Sequence, residues 1–410
     1  MKKISNFLFS GILLAFIFSI AGATPALAVG GIQMFAKKLI PKSTLLVDNA
    51  LYSSTDVSAL TAYAGDYEKQ LFSTLVNELD VAADIRVYPN IKNKKNLTKL
   101  TATANAKPFV STEEYQGNLG YTPRVIEVKQ GKTELLIDLE DYRDEWMADQ
   151  MGVGSHANKG AQNIPFAEYT WNEIIKSLAA EINDRTSYFG FDSSSTAVWD
   201  SGTTYSIGDR VRLTENGVIN YYEALAATLA GESPSTTPAK WKKVNAEAIA
   251  KGFKEIITEE ITASNISPVN TGAVTTGAEA LAAQRVLFRS LPVPYKKMGV
   301  SLYQSYTDYE LLMDGIEDKI SKYTKDDNTP VYLPGTDKKC MVKPASWLSG
   351  SRRLMATPMN NLILGTDLLS DMNQIKVLEG AKLWTMPVGI KFAIGFQIRD
   401  LDALAVGDQE

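Results

Sequence analysis

The stretch Gly389–Asp400, "GIKFAIGFQIRD", constrains the fold more than any other. Ile390, Phe392, Ile394, Phe396 and Ile398 share one face, and Lys391, Ala393, Gly395, Gln397 and Arg399 the other. A period of two fits a half-buried strand and no helix. Far upstream, "NIPFAEYTWNEIIKSLAAEIND" has the opposite rhythm. Phe166, Tyr169, Ile174, Leu178 and Ile182 form a helical stripe, widened by Trp171 and Ile175. Pro165 suits the first turn of a helix of about 20 residues, roughly 30 Å long. Together these periods predict an α+β chain built on a spine helix and a sheet.

Between and around them the punctuation is regular. Leu60, Tyr63, Tyr67, Leu71 and Leu75 have helical spacing, and the Lys-rich "NIKNKKNLTKLTA" after them reads as a solvated loop. "RVIEV" and "TELLIDL" flank "KQGK", which reads as a hairpin with Gly131 in the turn. "QGKT" is not a P-loop, because Ile126 stands where its first glycine belongs. Helices are expected over "NAEAIAKGFKEIITEEI", from Thr276 to Ser290 with Pro292 and Pro294 stopping it, and over "YTDYELLMDGIEDKISKY". "KKMGVSLYQS" and the segments after it read as strands separated by Pro and Gly turns.

Chemistry is sparse. With one cysteine, Cys340, no intrachain disulfide can form, and with one histidine, His156, neither a His-rich nor a Cys-Cys zinc site is available. The acidic run "DLEDYRDEWMAD", with Asp138, Glu140 and Asp141, reads as a solvated helix face rather than a cation or glycosidase site. No catalytic residue, metal or cofactor is expected. The net charge of −5 argues against a broad basic face for nucleic acid.

Residues 1–33 look like a secretory leader: Lys2 and Lys3, an apolar run, and a small-x-small site at Ala26 to Ala28. A retained anchor and a start at Met34 are the other readings.

From about Pro165 onward, segment order resembles the major capsid proteins of tailed bacteriophages with the Hong Kong 97-like fold. The resemblance rests on the spine helix, on "GFKEIITEEI" through "NTGAVTTGAEALAAQRVLFRSLP" and "KKMGVSLYQS", on "GSRRLMATPMNNLILGTDL", and on the closing strand. It implies an N-terminal arm and helices (34–90), an E-loop hairpin region (91–150), a P-domain spine helix (151–196), and an A domain with the remaining P-domain sheet (246–410). It further implies hexamers and pentamers in an icosahedral shell, assembled in the host cytoplasm with portal and scaffold proteins. That shell would enclose double-stranded DNA without sequence-specific binding.

Residues 197–245 interrupt this plan with a small all-β module. Its "TTYSIGDRV" and "YYEALA" resemble chitin-binding-type carbohydrate modules. Trp199, Tyr205, Tyr221, Tyr222 and Trp241 are its candidate ligand-facing aromatics, for weak glycan contact, and equally candidates for its own core. Ala226 and Ala227 stand where that family carries stacking rings. With the leader, the module leaves a second reading: a secreted protein that binds carbohydrate or cell surfaces.

Overall fold

A computed structural model describes residues 67–109, 111, 117–138, 166–319, 330–367, 374–377 and 385–409. The leader, Leu60, Tyr63, Glu140, Asp141 and His156 lie outside them.

The described chain begins with helices over 67–77 (α1) and Asp80–Asp84 (α2), then strand Arg86–Tyr88 (β1). Strands Lys94–Ala104 (β2), Gly117–Glu127 (β3) and Lys129–Asp138 (β4) follow. The spine helix is Phe166–Glu181 (α3), extended by a π-helical turn over Ile182–Thr186. Next come Ala197–Val198 (β5), Arg210–Glu215 (β6), Val218–Ala224 (β7) and Trp241–Lys243 (β8). Helices Phe253–Thr262 (α4), Gly277–Ser290 (α5) and Val293–Met298 (α6) lead to Val300–Gln304 (β9) and Tyr306–Lys319 (α7). The last strands are Cys340–Pro344 (β10), Met355–Thr357 (β11), Leu362–Thr366 (β12), Gln374–Val377 (β13), Thr385–Ile398 (β14) and Ala405–Val406 (β15).

The fold is mixed α+β. One sheet runs β1-β12-β14-β13, with β4 also paired to β14. Its Phe392 face is covered by helices: Phe72, Leu75 and Leu79 meet Ile182, Leu364 and Ile394 there. The spine helix buries Trp171, Ile175, Leu178 and Ile182, while Ile174 is only half-buried, so the stripe centres one residue later than expected. At its end Asn183 accepts from the Val81 amide (3.1 Å) and donates to Ser346 Oγ (2.8 Å).

The second sheet runs β10-β9-β11-β15, with β9 and β10 parallel across the α7 connection. Helices α5 and α7 bury Leu281, Leu287, Leu312 and Ile316 with Leu302 and Cys340. They cross where the backbones of Gly277 and Gly315 touch, and no side chain fits between them. An aromatic joint links the two sheets: Phe253 lies 5.4 Å from Phe396 and 5.6 Å from Trp347, which lies 5.7 Å from Tyr303. Asp84 fastens it, accepting from Trp347 Nε1 (3.2 Å) and pairing with Lys343 (3.2 Å).

Four local expectations are corrected. Gly131 is not in a turn: it lies inside β4, paired with Phe392, and a Cβ there would fall 2.6 Å from the Phe392 ring. The Lys-rich segment is not a loop but part of β2, which pairs along its whole length with β3. Lys94 and Lys95 face solvent, while Leu97 is buried and Lys99 is half-buried. Pro294 stops nothing, since it sits in the first turn of α6, where a missing amide costs no hydrogen bond. The second face of β14 is closed to water at Ala393 and Gly395, while Lys391 stays exposed. Ile126 and Val128 cover Ala393, and only small residues at 393 and 395 let them approach.

Candidate assembly interface and inserted module

β2 and β3 form a two-stranded ribbon whose root packs on the first sheet and whose outer half stands free. Register puts opposed residues on a common face. One face carries Leu97 opposite Arg124 and Lys99 opposite Thr122. This face is clamped. Lys99 Nζ reaches Asp400 (2.6 Å) and Asp402 (2.7 Å), and the Tyr295 hydroxyl donates to Asp400 (2.8 Å). Arg124 pairs with Glu260 (2.8 Å) and donates to Gln397 (3.0 Å). Burial is the largest single influence on Lys99 and lowers its pKa. The hydrogen bonds to both aspartates together outweigh it and hold the ammonium above the ordinary lysine value.

The opposite face is apolar and open. Val125, Pro123, Leu100 opposite Tyr121, and Ala102 opposite Leu119 follow one another along it. Leu100, Leu119 and Tyr121 are each more than half exposed, and Phe109 beyond β2 is almost wholly so. Sequence reading missed this face because the lysines that alternate with apolar residues along β2 read as solvation.

The inserted module is a sheet ordered β5-β6-β7-β8. Its β6–β7 hairpin turns at Asn216 and Gly217, both with positive φ (51° and 80°), the Asn-Gly pair that a type I′ turn requires. One face packs Val211, Ala224 and Trp241, with Trp199, Tyr205 and Tyr222 partly buried against them. Tyr205 and Trp241 meet edge to face at 5.5 Å. The Trp241 indole donates to the Glu232 carbonyl (3.3 Å). The Tyr222 hydroxyl donates to Glu215 (2.6 Å), and burial, then that bond, push its pKa up to about 12. Tyr221 points the other way, onto Phe191 of the body at 6.2 Å.

The module leaves the body through a closed neck. The Phe191 amide donates to the Glu247 carbonyl (2.7 Å), and Gly252 donates to Gly190 (2.9 Å). Gly190 and Gly252 touch through backbone, and a Cβ on either would clash. Arg210 of β6 adds a contact to Glu255 (3.3 Å) and lies 4.3 Å over the Phe191 ring.

Cys340 is buried, and burial pushes its thiol up to about 12, so it is a packing residue rather than a nucleophile. Among the described residues no group of three or more His, Cys, Asp or Glu could hold a metal, and no helix is long and apolar enough to cross a membrane.

No protein-family model and no curated protein matches the sequence. Several solved structures have similar chain traces. A chain from the satellite phage P4 procapsid, solved with its size determination protein, aligns at 13% identity and a TM-score of 0.47, over 83% of this chain and 98% of that one. Gordonia phage Cozz aligns at 11% identity and 0.44, over 80% and 85%. The holo-SrpI encapsulin complex from Synechococcus elongatus aligns at 8% identity and 0.38, over 80% and 86%.

Proposed function

We propose that this chain is the major capsid protein of a tailed bacteriophage or prophage, self-assembling into an icosahedral shell that encloses DNA. The observation that carries the reading is the two-faced ribbon. An isolated two-stranded hairpin is marginal in water, yet this one is clamped at its root by Lys99 and Arg124 and offers an uncovered apolar face beyond them. A neighbouring copy that receives this face completes it, and repetition of such a heterologous contact closes a ring. The rest of the chain supplies a rigid body and needs no bound cofactor for that task. The module projects from the body at its neck, decorating the particle exterior. Portal and scaffold partners, and assembly in the host cytoplasm, follow from the family resemblance.

Overexpressed protein, examined by sedimentation and negative-stain microscopy, is expected to yield closed shells. A protein that stays monomeric at all accessible concentrations overturns the proposal.

A further inference from the structure

The module carries a second uncovered apolar surface. Ile207, Leu225 and Leu229 are 72%, 52% and 69% exposed. They lie on two segments bound side by side: Gly208 N donates to Ala224 O (2.8 Å) and Thr228 N to Tyr205 O (2.9 Å). The patch is wholly aliphatic, with Leu225 and Leu229 flanking Ala226 and Ala227. Its polar rim is already spent internally. Glu232 accepts from the Leu229 amide (2.7 Å) and pairs with Lys240 (2.6 Å), and Asp209 accepts from the Ser206 amide (2.7 Å). A sugar needs flat rings and free polar groups, and this surface offers neither. It fits another uncharged apolar surface.

Size decides which one. The three side chains leave on the order of 400 Å² open, about half of what each partner of a stable complex buries. Such a patch does not hold a free partner from dilute solution. It becomes effective when its mate is tethered nearby, where local concentration reaches the millimolar range. The module itself is electrically balanced, with Asp200, Asp209, Glu215, Glu223 and Glu232 against Arg210, Arg212, Lys240, Lys242 and Lys243, so two copies do not repel. We propose that Ile207, Leu225 and Leu229 meet the same patch on the module of an adjoining subunit, pairing modules across the particle surface. This inference rests on the shell reading.

Because Cys340 is the sole cysteine and is buried, introduced thiols report cleanly. Ile207→Cys, Leu225→Cys and Leu229→Cys are each oxidised mildly in purified shells and in dissociated subunits at equal protein concentration. Val218→Cys, about 20 Å away along β7, is the control. At least one patch variant is expected to form disulfide-linked dimers in shells at tenfold or greater excess over dissociated subunits and over the control. Wild-type shells, against subunits, should also show slowed amide exchange over 224–229. Shells that form normally but show neither cross-linking above the control nor added protection overturn the pairing and leave the shell reading standing. Absence of shells from the wild-type protein overturns the shell reading itself, and with it this one.

Discussion

The backbone of Glu127 lies directly against Gly395, so that a Cβ on Gly395 would overlap the Glu127 carbonyl oxygen and come within 3.1 Å of Val128 Cα. The hairpin root and the central strand β14 therefore meet backbone to backbone, and neither can yield without moving a strand. Gly395→Ala is expected to cost about 3 kcal/mol, as overpacking in a rigid core does. The midpoint of denaturant unfolding measures it, and a variant as stable as the parent would refute the close packing.

Lys99, midway along β2, is held by two carboxylates. Lys99→Met keeps the apolar stem and removes the charge, leaving Asp400 with the Tyr295 hydroxyl and costing about 1–3 kcal/mol locally. Amide exchange in β2 and β3 is expected to speed up while the second sheet is unchanged. Uniform acceleration across both sheets would instead mean that the clamp is part of global stability.

Leu100 and Tyr121 sit opposite each other on the ribbon's open face and are 56% and 64% exposed. Leu100→Lys with Tyr121→Glu, which replaces the apolar pair by unlike charges across the ladder, should leave subunit melting within about 1 kcal/mol, yet abolish shells in sedimentation. Normal shells from the double variant would remove the ribbon from the interface.

Helix α5 begins with a reciprocal cap. The Glu279 carboxylate accepts from the Thr275 hydroxyl (2.7 Å), the Thr275 amide (2.9 Å) and the Thr276 amide (3.0 Å). The Thr275 hydroxyl first, then these amides, lower its pKa from 4.5 to about 2. A depressed carboxylate stabilises the fold above its unfolded pKa and ceases to do so as pH falls through the folded value. Parent and Glu279→Ala proteins should therefore differ in melting temperature above pH 4.5 and converge towards pH 2. A gap that stays constant over that window would show that the carboxylate charge plays no part in the cap.

Replacing residues 194–245 by a short Gly-Ser linker should leave the rest folded, because the Phe191–Glu247 hydrogen bond (2.7 Å) already brings the two ends together. Shells are expected to form without the module. Collapse of the remaining chain on excision would show that Arg210 and Tyr221 are structural parts of the body.

The periodic features were legible in the sequence because they repeat: the β14 alternation and the spine stripe. What stayed hidden depends on contacts between distant residues. Gly131 read as a turn because glycine marks turns and close approaches alike, and only the Phe392 ring 2.6 Å from its missing Cβ tells them apart. Lys94 and Lys95 signal exposure, which a strand pointing them into water satisfies as well as a loop does. The apolar ribbon face needed the register of Leu100 on Tyr121 to become one surface. The module's rings were visible one by one, but that Tyr221 turns to Phe191 while Trp241 turns inward is a matter of strand parity, which composition does not encode.

The neck at Gly190 and Gly252 makes host and guest nearly independent inheritances. The contacts that cross it stay local, with Arg210, Tyr221, Lys242 and Val244 meeting Phe191, Glu247, Ala248 and Glu255, so substitutions far from the neck on either side should add their effects rather than compound them. Such a junction works as a socket. The body can keep the geometry its lattice demands while whatever is plugged in at residues 194–245 is exchanged, redesigned or lost.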